Sequence, residues 1–450
     1  MKKSLAIFVA KLAAFAGKVM KRGSSLPGYL AIRIDANIGK KLDTSSCIKI
    51  AITGANGKST TTTLLAKILE DNGYNVAANL KGSNMRPGVF TGILAKTTLT
   101  GKVRADVILM EVDEFSSPKV YDAIQPDYLV VTNVLRDHIE RQSDISNVIQ
   151  KIEEKLTDKT TLVLNADDPI VSSLLYGSQN PRIFYGIDDL TYGGKQPQTS
   201  LAGKFCLQCG AKLVYTHYYY EHMGHYDCPH CQFTRELRTY SATSVNIEQN
   251  YMIVNDVEKY TVNYDAFYMY YNILAAVTIA RTLGLAPEAI EKVTNNFIVG
   301  NARLEEFYLY ERVGVMNFLK NATSLSATID LLEQDPEDKT LAFVMDDTYD
   351  GRYFITQWYW DAHVEKLAQD DSIKYFVCTW RRGYDMAVRL KAAGVDESRI
   401  IVELDMEKAV DILREQTVGK VYLGYDTDSH SIGKVVAALA KYPENKHLQR

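Results

Sequence analysis

Residues 47–63 read Cys47-Ile48-Lys49-Ile50-Ala51-Ile52-Thr53-Gly54-Ala55-Asn56-Gly57-Lys58-Ser59-Thr60-Thr61-Thr62-Thr63. An apolar run of strand length passes through a glycine-bounded turn into a hydroxyl-rich helical pattern. A phosphate-binding loop requires that order. Gly54 and Gly57 let the backbone approach phosphate oxygens. The N–H groups at the helix start point at the anion, with the helix dipole behind them. Lys58 can reach the outer phosphates, and the Ser59 hydroxyl can sit on Mg²⁺. The spacing departs from the usual G-x-x-x-x-G-K-[ST], because Gly54 and Gly57 enclose only Ala55 and Asn56. The competing reading is a tight strand-to-helix turn with an exposed lysine. The Ile/Ala strand before it and the threonine-rich helix start after it favour the phosphate loop.

Further apolar runs extend this reading. Ala105 to Glu114 (A-D-V-I-L-M-E-V-D-E) suits a parallel strand buried on both faces. Its carboxyl end carries Glu111, where open α/β sheets bind ligands and where a carboxylate can approach Mg²⁺ directly or through water. Tyr128 to Asn133 leads into Val134-Leu135-Arg136-Asp137-His138, which puts His138 on the same rim; a structural histidine is the alternative. Thr161 to Leu164 ends in Asn165-Ala166-Asp167-Asp168-Pro169. Lys81 to Gly88 is a polar, glycine-rich loop. Helices are expected over Thr60 to Asn72, stopped by Gly73, and over Tyr271 to Arg281, with hairpin material between Tyr240 and Tyr260. Strands with polar carboxyl ends, alternating with helices, predict a doubly wound, mainly parallel sheet. The pattern restarts after residue 305, at Val315–Leu319, Thr340–Met345, Tyr375–Cys378, Ile400–Val402 and Lys420–Leu423. That predicts a second α/β domain at the C-terminus.

A chain of 450 residues exceeds one hydrophobic core. The expected division is a lead-in over 1–45, an ATPase domain over 46–304 and a C-terminal domain over 305–450. The net charge of −4 gives no global basic field, so no nucleic-acid partner is expected. Met1 to Arg22 looks at first like a targeting segment, but Lys11 interrupts its apolar run and Lys18, Lys21 and Arg22 follow. The reading is an amphipathic helix, either packed on the first domain or resting on a membrane surface. No other stretch is apolar enough to cross a bilayer. The expected location is cytoplasmic, with peripheral contact at the inner face of the membrane as a further option.

Cys206-x₂-Cys209 and Cys228-x₂-Cys231 form paired knuckles over 203–235, a tetrathiolate zinc pattern. Disulfides are the alternative, and nothing in the sequence suggests export. Such a site has no open coordination position, so this zinc would be structural. His217, His222, His225 and His230 lie nearby as alternative ligands. Cys47 and Cys378 read as solitary buried thiols.

Together these residues resemble the Mur ligase superfamily, which joins amino acids to peptidoglycan precursors using ATP. Its shortened phosphate loop is similar to Thr53–Ser59, its strand-end E-V to Glu111-Val112, its N-x-x-x-D-H to Asn133–His138, and its domain-junction arginine to Arg303. Within that superfamily the chain is similar to the synthetase subunits of lipid II isoglutaminyl synthases. The shared features are Leu26-Pro27-Gly28, Glu111-Val112-Asp113-Glu114, Asn165–Pro169, a four-cysteine ribbon inside the ATPase core, and Tyr349-Asp350-Gly351-Arg352 before Trp358–Asp361.

The resemblance implies a Mur ligase-type ATPase domain with an inserted zinc ribbon and a second α/β domain. It implies ATP, Mg²⁺ and Zn²⁺ as cofactors. Gly54, Ala55, Asn56, Gly57, Lys58, Ser59, Thr60 and Asn165 would line the nucleotide, and Ser59, Glu111 and His138 would serve magnesium. Lys58 and Arg303 would hold phosphates. The implied reaction amidates the D-glutamate α-carboxylate of the lipid II stem peptide through an acyl phosphate. A glutaminase subunit (GatD-like), held as a heterodimer, would supply the ammonia, and Asp350 would complete that partner's Cys–His pair. Lipid II would be met at the membrane surface. Related ligases use a carbamylated lysine; Lys151 is off its spacing. Met269, Ala322 and Tyr353 stand where the family pattern has other residues. A stand-alone amide ligase of the folylpolyglutamate type and a non-enzymatic nucleotide-binding scaffold are the rival classes.

Overall fold

The structure, a computed structural model, describes residues 2–19, 25–80, 83–135, 145–194, 202–264, 266–297, 303–319, 322–333, 335–346, 356, 358–426 and 429–448. They form two compact units, the first within 1–298 and the second from 303 onward.

The first unit opens with α1 (Lys2–Val19) and α2 (Leu26–Ile34). Then β1 (Ile48–Thr53), α3 (Lys58–Asp71), β2 (Val76–Ala78), α4 (Arg86–Ala95), β3 (Val107–Glu111), α5 (Ser117–Tyr121) and β4 (Tyr128–Val131) alternate. After them come α6 (Ile145–Glu153), β5 (Thr161–Asn165), α7 (Pro169–Ser172) and β6 (Arg182–Ile187). A hairpin of β7 (Val214–Tyr220) and β8 (Met223–Asp227) precedes β9 (Tyr240–Asn246), β10 (Tyr251–Val254) and β11 (Glu258–Thr261). The unit closes with α8 (Tyr268–Thr282) and α9 (Pro287–Thr294). Among the described residues the large sheet runs β11-β10-β9-β6-β5-β4-β1-β3-β2, parallel from β9 to β2 and antiparallel over the last hairpins.

Strand β1 lies between β3 and β4. The chain leaves β1 toward one side of the sheet and returns on the other, so the carboxyl ends of β1, β3 and β4 bound the crevice that parallel sheets leave open to ligands. The apolar runs read as two-face-buried strands are buried throughout, as at Val107–Glu111. Phe90, Ile108, Met110 and Leu129 fill one face, and Leu64, Leu65, Ile273 and Leu274 fill the space between the other face and α3 and α8.

Helix α3 starts at Lys58, earlier than the periodicity suggests, because Gly57 adopts a left-handed φ of 83° that ends the loop one residue before it. Its buried threonines are compatible with a helix because their hydroxyls find carbonyl acceptors: Thr62 donates within the helix to the Lys58 carbonyl at 2.8 Å, and Thr61 donates across to the Asn272 carbonyl of α8 at 3.2 Å. Helix α4 starts inside the stretch read as loop, with Pro87 in its first turn. No alternating pattern marks strand β6 in the sequence; its six residues follow Asn180-Pro181.

In the second unit, β12 (Arg303–Leu309), β13 (Arg312–Phe318), β14 (Lys339–Val344), β15 (Ile373–Thr379), β16 (Ile400–Val402) and β17 (Lys420–Tyr425) form a sheet ordered β12-β13-β17-β14-β15-β16. All pairs are parallel except β12–β13. Helices α10 (Ala322–Glu333), α11 (Trp358–Asp361), α12 (Glu365–Gln369), α13 (Gly383–Ala392), α14 (Met406–Glu415) and α15 (Ser429–Leu439) cover it. At the carboxyl ends of β14 and β17, the Asp346 backbone N–H donates to Asp426 Oδ1 at 2.6 Å, and Tyr359 Oη donates to Asp426 Oδ2 at 2.9 Å. Cys47 and Cys378 are both buried.

Candidate functional site

The loop between β1 and α3 is held from β4. Asn133 clamps Asn56 twice: the Asn56 backbone N–H donates to Asn133 Oδ1 at 2.9 Å, and Asn133 Nδ2 donates to the Asn56 carbonyl at 3.0 Å. Thr132 Oγ1 also donates to that carbonyl at 2.7 Å, and the Ala55 N–H bonds the Asn133 carbonyl at 2.9 Å. Both glycines are required by close approach. A Cβ on Gly54 would lie 2.3 Å from Thr132 Oγ1, and one on Gly57 would lie 2.0 Å from Asn272 Oδ1. The first-turn amides of α3 have no carbonyl partner within the helix, so they face the anion position that the loop encloses.

Two carboxylates meet the loop's side chains. Ser59 Oγ donates to Glu111 Oε1 at 2.8 Å. Lys58 Nζ lies 3.0 Å from Glu114 Oε1 in an ion pair whose side chains are each 7% exposed, and it also donates to the Gly54 and Ala55 carbonyls. Asn79, at the end of β2, ties down β3: its Nδ2 donates to the Glu111 carbonyl and its Oδ1 accepts from the Glu111 N–H, both at 2.9 Å. A hydroxyl beside a strand-end carboxylate is an oxygen donor set of the kind a hard divalent cation takes, and lysine with helix-start amides suits polyphosphate. The residues present therefore fit Mg²⁺ and a nucleotide.

Of the expected site residues, Gly54, Ala55, Asn56, Gly57, Lys58, Ser59 and Glu111 come together here, and Thr60 is buried in the first turn of α3. Asn165 does not join them. It is fully buried at the end of β5, its Oδ1 accepting from the Asp167 N–H at 3.0 Å and its Nδ2 against Met223 Sδ. His138 and Asp350 lie outside the described residues, as does Tyr353. Arg303 opens β12, and nothing is described of its side chain. Lys151, on α6, is paired at 2.8 Å with Glu154, one residue past the helix end. Sequence reasoning missed Glu114 as the partner of Lys58 and missed Asn272, which lies against Gly57 from α8. Asn272 lies at the amino end of the apolar helical run Tyr271 to Arg281, and nothing in that run's periodicity marks it as a site residue.

The four cysteine Sγ atoms lie within 4.8 Å of one another. Each knuckle closes by a backbone turn, Gly210 N–H to the Cys206 carbonyl at 2.8 Å in the first and Cys228 N–H to the Phe233 carbonyl at 2.9 Å in the second. Burial pushes the Cys228 thiol up, but the N–H groups of His230 and Cys231 and the Cys209 thiol outweigh it and hold it at about 6. Thiolates gathered at this separation fit a tetrahedral metal. Three of the nearby histidines bond elsewhere: His217 to the Tyr192 carbonyl, His222 to Asp168, and His225 to Tyr219 and the Ile187 carbonyl.

The ribbon is docked on the sheet by Asn165–Pro169. Asp167, fully buried, takes Arg235 at 2.6 Å, the Tyr271 hydroxyl at 2.8 Å and the Ile187 N–H at 2.8 Å. Asp168 caps α7, takes His222 at 3.0 Å and accepts from Val134 N–H beyond β4 at 3.2 Å. Burial lowers the His222 pKa, but the Asp168 charge and hydrogen bond outweigh it and leave the imidazole above its ordinary value.

A phosphate loop at the switch point of a parallel sheet, with a strand-end glutamate on its serine, defines a nucleotide-binding α/β fold, and the match of residues 52–208 to the Mur ligase middle domain family makes its class that of the Mur-type ligases. The fold agrees with a solved pseudomurein peptide ligase type C from Methanothermus fervidus, at a TM-score of 0.67 and 20% identity over 90% of this chain and 81% of that one. The MurT ligase C-terminal family matches residues 318–426. The lipid II isoglutaminyl synthase (glutamine-hydrolyzing) subunit MurT of Staphylococcus aureus (strain COL) is 33% identical over 91% of this chain and 92% of its own length. The subunit of the same name from Streptococcus pneumoniae (strain ATCC BAA-255 / R6) is 28% identical over 94% of each. The chain belongs to the MurT family.

Proposed function

We propose that this chain is the synthetase subunit of a lipid II isoglutaminyl synthase, converting the α-carboxylate of D-glutamate in the stem peptide to an amide. The observation that supports this most is the Lys58–Ser59–Glu111 cluster beneath the helix-start amides, in a chain collinear with the S. aureus subunit. A carboxylate oxygen of the substrate attacks the γ-phosphorus of ATP, ADP leaves, and an acyl phosphate remains. Ammonia then attacks the acyl carbon, phosphate departs, and the nitrogen loses a proton. Positioning and charge neutralisation dominate such transfers.

The backbone amides of α3's first turn and Lys58 would hold the phosphates, with Arg303 supplying a second cation. Ser59, Glu111 and His138 would hold Mg²⁺, which when bound supplies charge neutralisation at the phosphates. Lys58 must exchange Glu114 for phosphate oxygens as nucleotide enters. The Asn133 clamp keeps the loop in its anion-binding conformation before that. Zinc on Cys206, Cys209, Cys228 and Cys231 would staple the ribbon without touching substrate.

Neither Cys47 nor Cys378 has the exposure of a glutaminase nucleophile, and burial pushes the Cys378 thiol well above its ordinary value. Ammonia would therefore come from a separate glutaminase subunit, to whose Cys–His pair Asp350 would contribute an orienting carboxylate. Phosphate release is the test, with purified protein, Mg-ATP and lipid II, and either ammonium chloride or glutamine plus the glutaminase. Turnover with ammonium alone, and with glutamine only when the partner is present, is expected. Mg-ATP binding with no turnover in either condition would instead favour a nucleotide-binding scaffold.

A further inference from the structure

Helix α1 carries two apolar faces. Ala6, Ile7 and Ala10 are buried, where the helix packs on α2 and α4. On its outer side Leu5, Phe8, Leu12 and Phe15 are 54%, 54%, 58% and 69% exposed. Their spacing of three, four and three residues aligns them in one stripe. The helix is thus seated on the domain by Ala6, Ile7 and Ala10 and leaves two leucines and two phenylalanines more than half exposed. Leu26 and Tyr29 of α2 are also exposed, at 48% and 47%. A stripe of this kind presents on the order of a few hundred Å² of apolar surface, the size at which an exposed patch marks an interaction site.

Charge identifies the occupant. The first 34 residues contain Lys2, Lys3, Lys11, Lys18, Lys21, Arg22 and Arg33 and no aspartate or glutamate, in a chain whose net charge is −4. By helical geometry Lys11 falls to one side of the stripe and Lys2 to the other. A second copy of the chain would set this cationic helix against itself. A cation-flanked apolar stripe lying flat is instead what an anionic bilayer surface takes up, with the rings in the acyl boundary and the ammonium groups among the headgroups. Among the described residues no helix is long and apolar enough to cross a membrane, so α1 would lie in the interface.

We infer that the outer face of α1, formed by Leu5, Phe8, Leu12 and Phe15 between flanking lysines, docks this protein in-plane on an anionic lipid surface. The surface belongs to the enzyme rather than to its substrate, so the inference is independent of the proposed reaction.

The test is vesicle flotation of the full chain without substrate or nucleotide. Vesicles of equal parts phosphatidylglycerol and phosphatidylcholine are compared with phosphatidylcholine alone. The wild type should float with the anionic vesicles, and added salt should weaken its binding. The L5Q/F8Q/L12Q/F15Q variant should bind about tenfold less or worse. Its melting temperature should change little, since more than half of each of these side chains is exposed; F8Q/F15Q serves if the quadruple variant misfolds. Equal binding to neutral vesicles, undiminished binding by a folded variant, or a wild-type dimer that the variant converts to monomer would each overturn the inference.

Discussion

The Lys58–Glu114 pair makes a sharp prediction about the nucleotide-free protein. The two groups are 3.0 Å apart and each is 7% exposed. At an effective dielectric of about 20 their attraction is about 5 kcal/mol, much of it offset by desolvation. Removing one partner of such a pair is worse than removing both, because the survivor is left charged and buried. Lys58→Met should therefore cost about 3 kcal/mol. Glu114→Gln should cost less, about 1–2 kcal/mol, because the Gly54 and Ala55 carbonyls still accept from Lys58. The double variant K58M/E114Q strands no charge and should be more stable than K58M alone by about 1–2 kcal/mol, a gain of about 3–6 °C in melting temperature. Circular dichroism melting of the nucleotide-free protein measures it. Trp358, Trp360 and Trp380, the only tryptophans in the sequence, all lie in the second unit. Their fluorescence melt is a built-in control that should not move. A double variant that melts at or below K58M would refute the pairing argument.

Gly57→Ala should cost about 1–3 kcal/mol and weaken ATP binding at least about tenfold, since φ is 83° and the added methyl meets Asn272; titration with a fluorescent ATP analogue measures this. Burial raises the Asp188 carboxyl, but Ser241, Arg235 and Arg238 outweigh it and bring it to about 2. A depressed carboxyl pKa stabilises the fold fully above the ordinary value and loses that contribution as pH falls through the folded one. D188N should therefore lie about 2 kcal/mol below wild type near neutrality, and the gap should have roughly halved by about pH 3; denaturant melts across that range would show it, and a pH-independent gap would contradict it. The purified protein should carry zinc in equimolar amount by elemental analysis, and Cys228→Ser should lose it and lower the melting temperature of the first unit. Retention of full zinc by that variant would exclude the four-cysteine site.

Much of this protein was legible along the chain because its signals are local. The two-face-buried strands announce themselves as apolar runs, and a strand that ends in Gly-x-x-Gly-Lys-Ser can hardly be other than a turn into a helix. Paired Cys-x-x-Cys knuckles hold their spacing whatever surrounds them. Those features point to the α/β class, the phosphate loop and the ribbon from the chain alone. Contacts between distant segments were not legible. Asn165 sits in a motif beside the site in sequence, yet it is buried beneath the hairpin; the same motif uses Asp167 and Asp168 to dock the ribbon, through Arg235 and His222, more than fifty residues away. Glu114 becomes the partner of Lys58 only because β3 lies beside β1 in register, Ile52 opposite Glu111. Helix α1 could be read as either packed or membrane-facing, and tertiary packing leaves it able to be both, because burying its alanine face on α2 and α4 turns the Leu/Phe stripe outward. Sequence sets which residues are apolar, charged or permissive at positive φ, and these are properties of single positions. Which of two carboxylates meets a lysine, and which face of a helix meets water, depends on strand order and packing, which no single stretch contains.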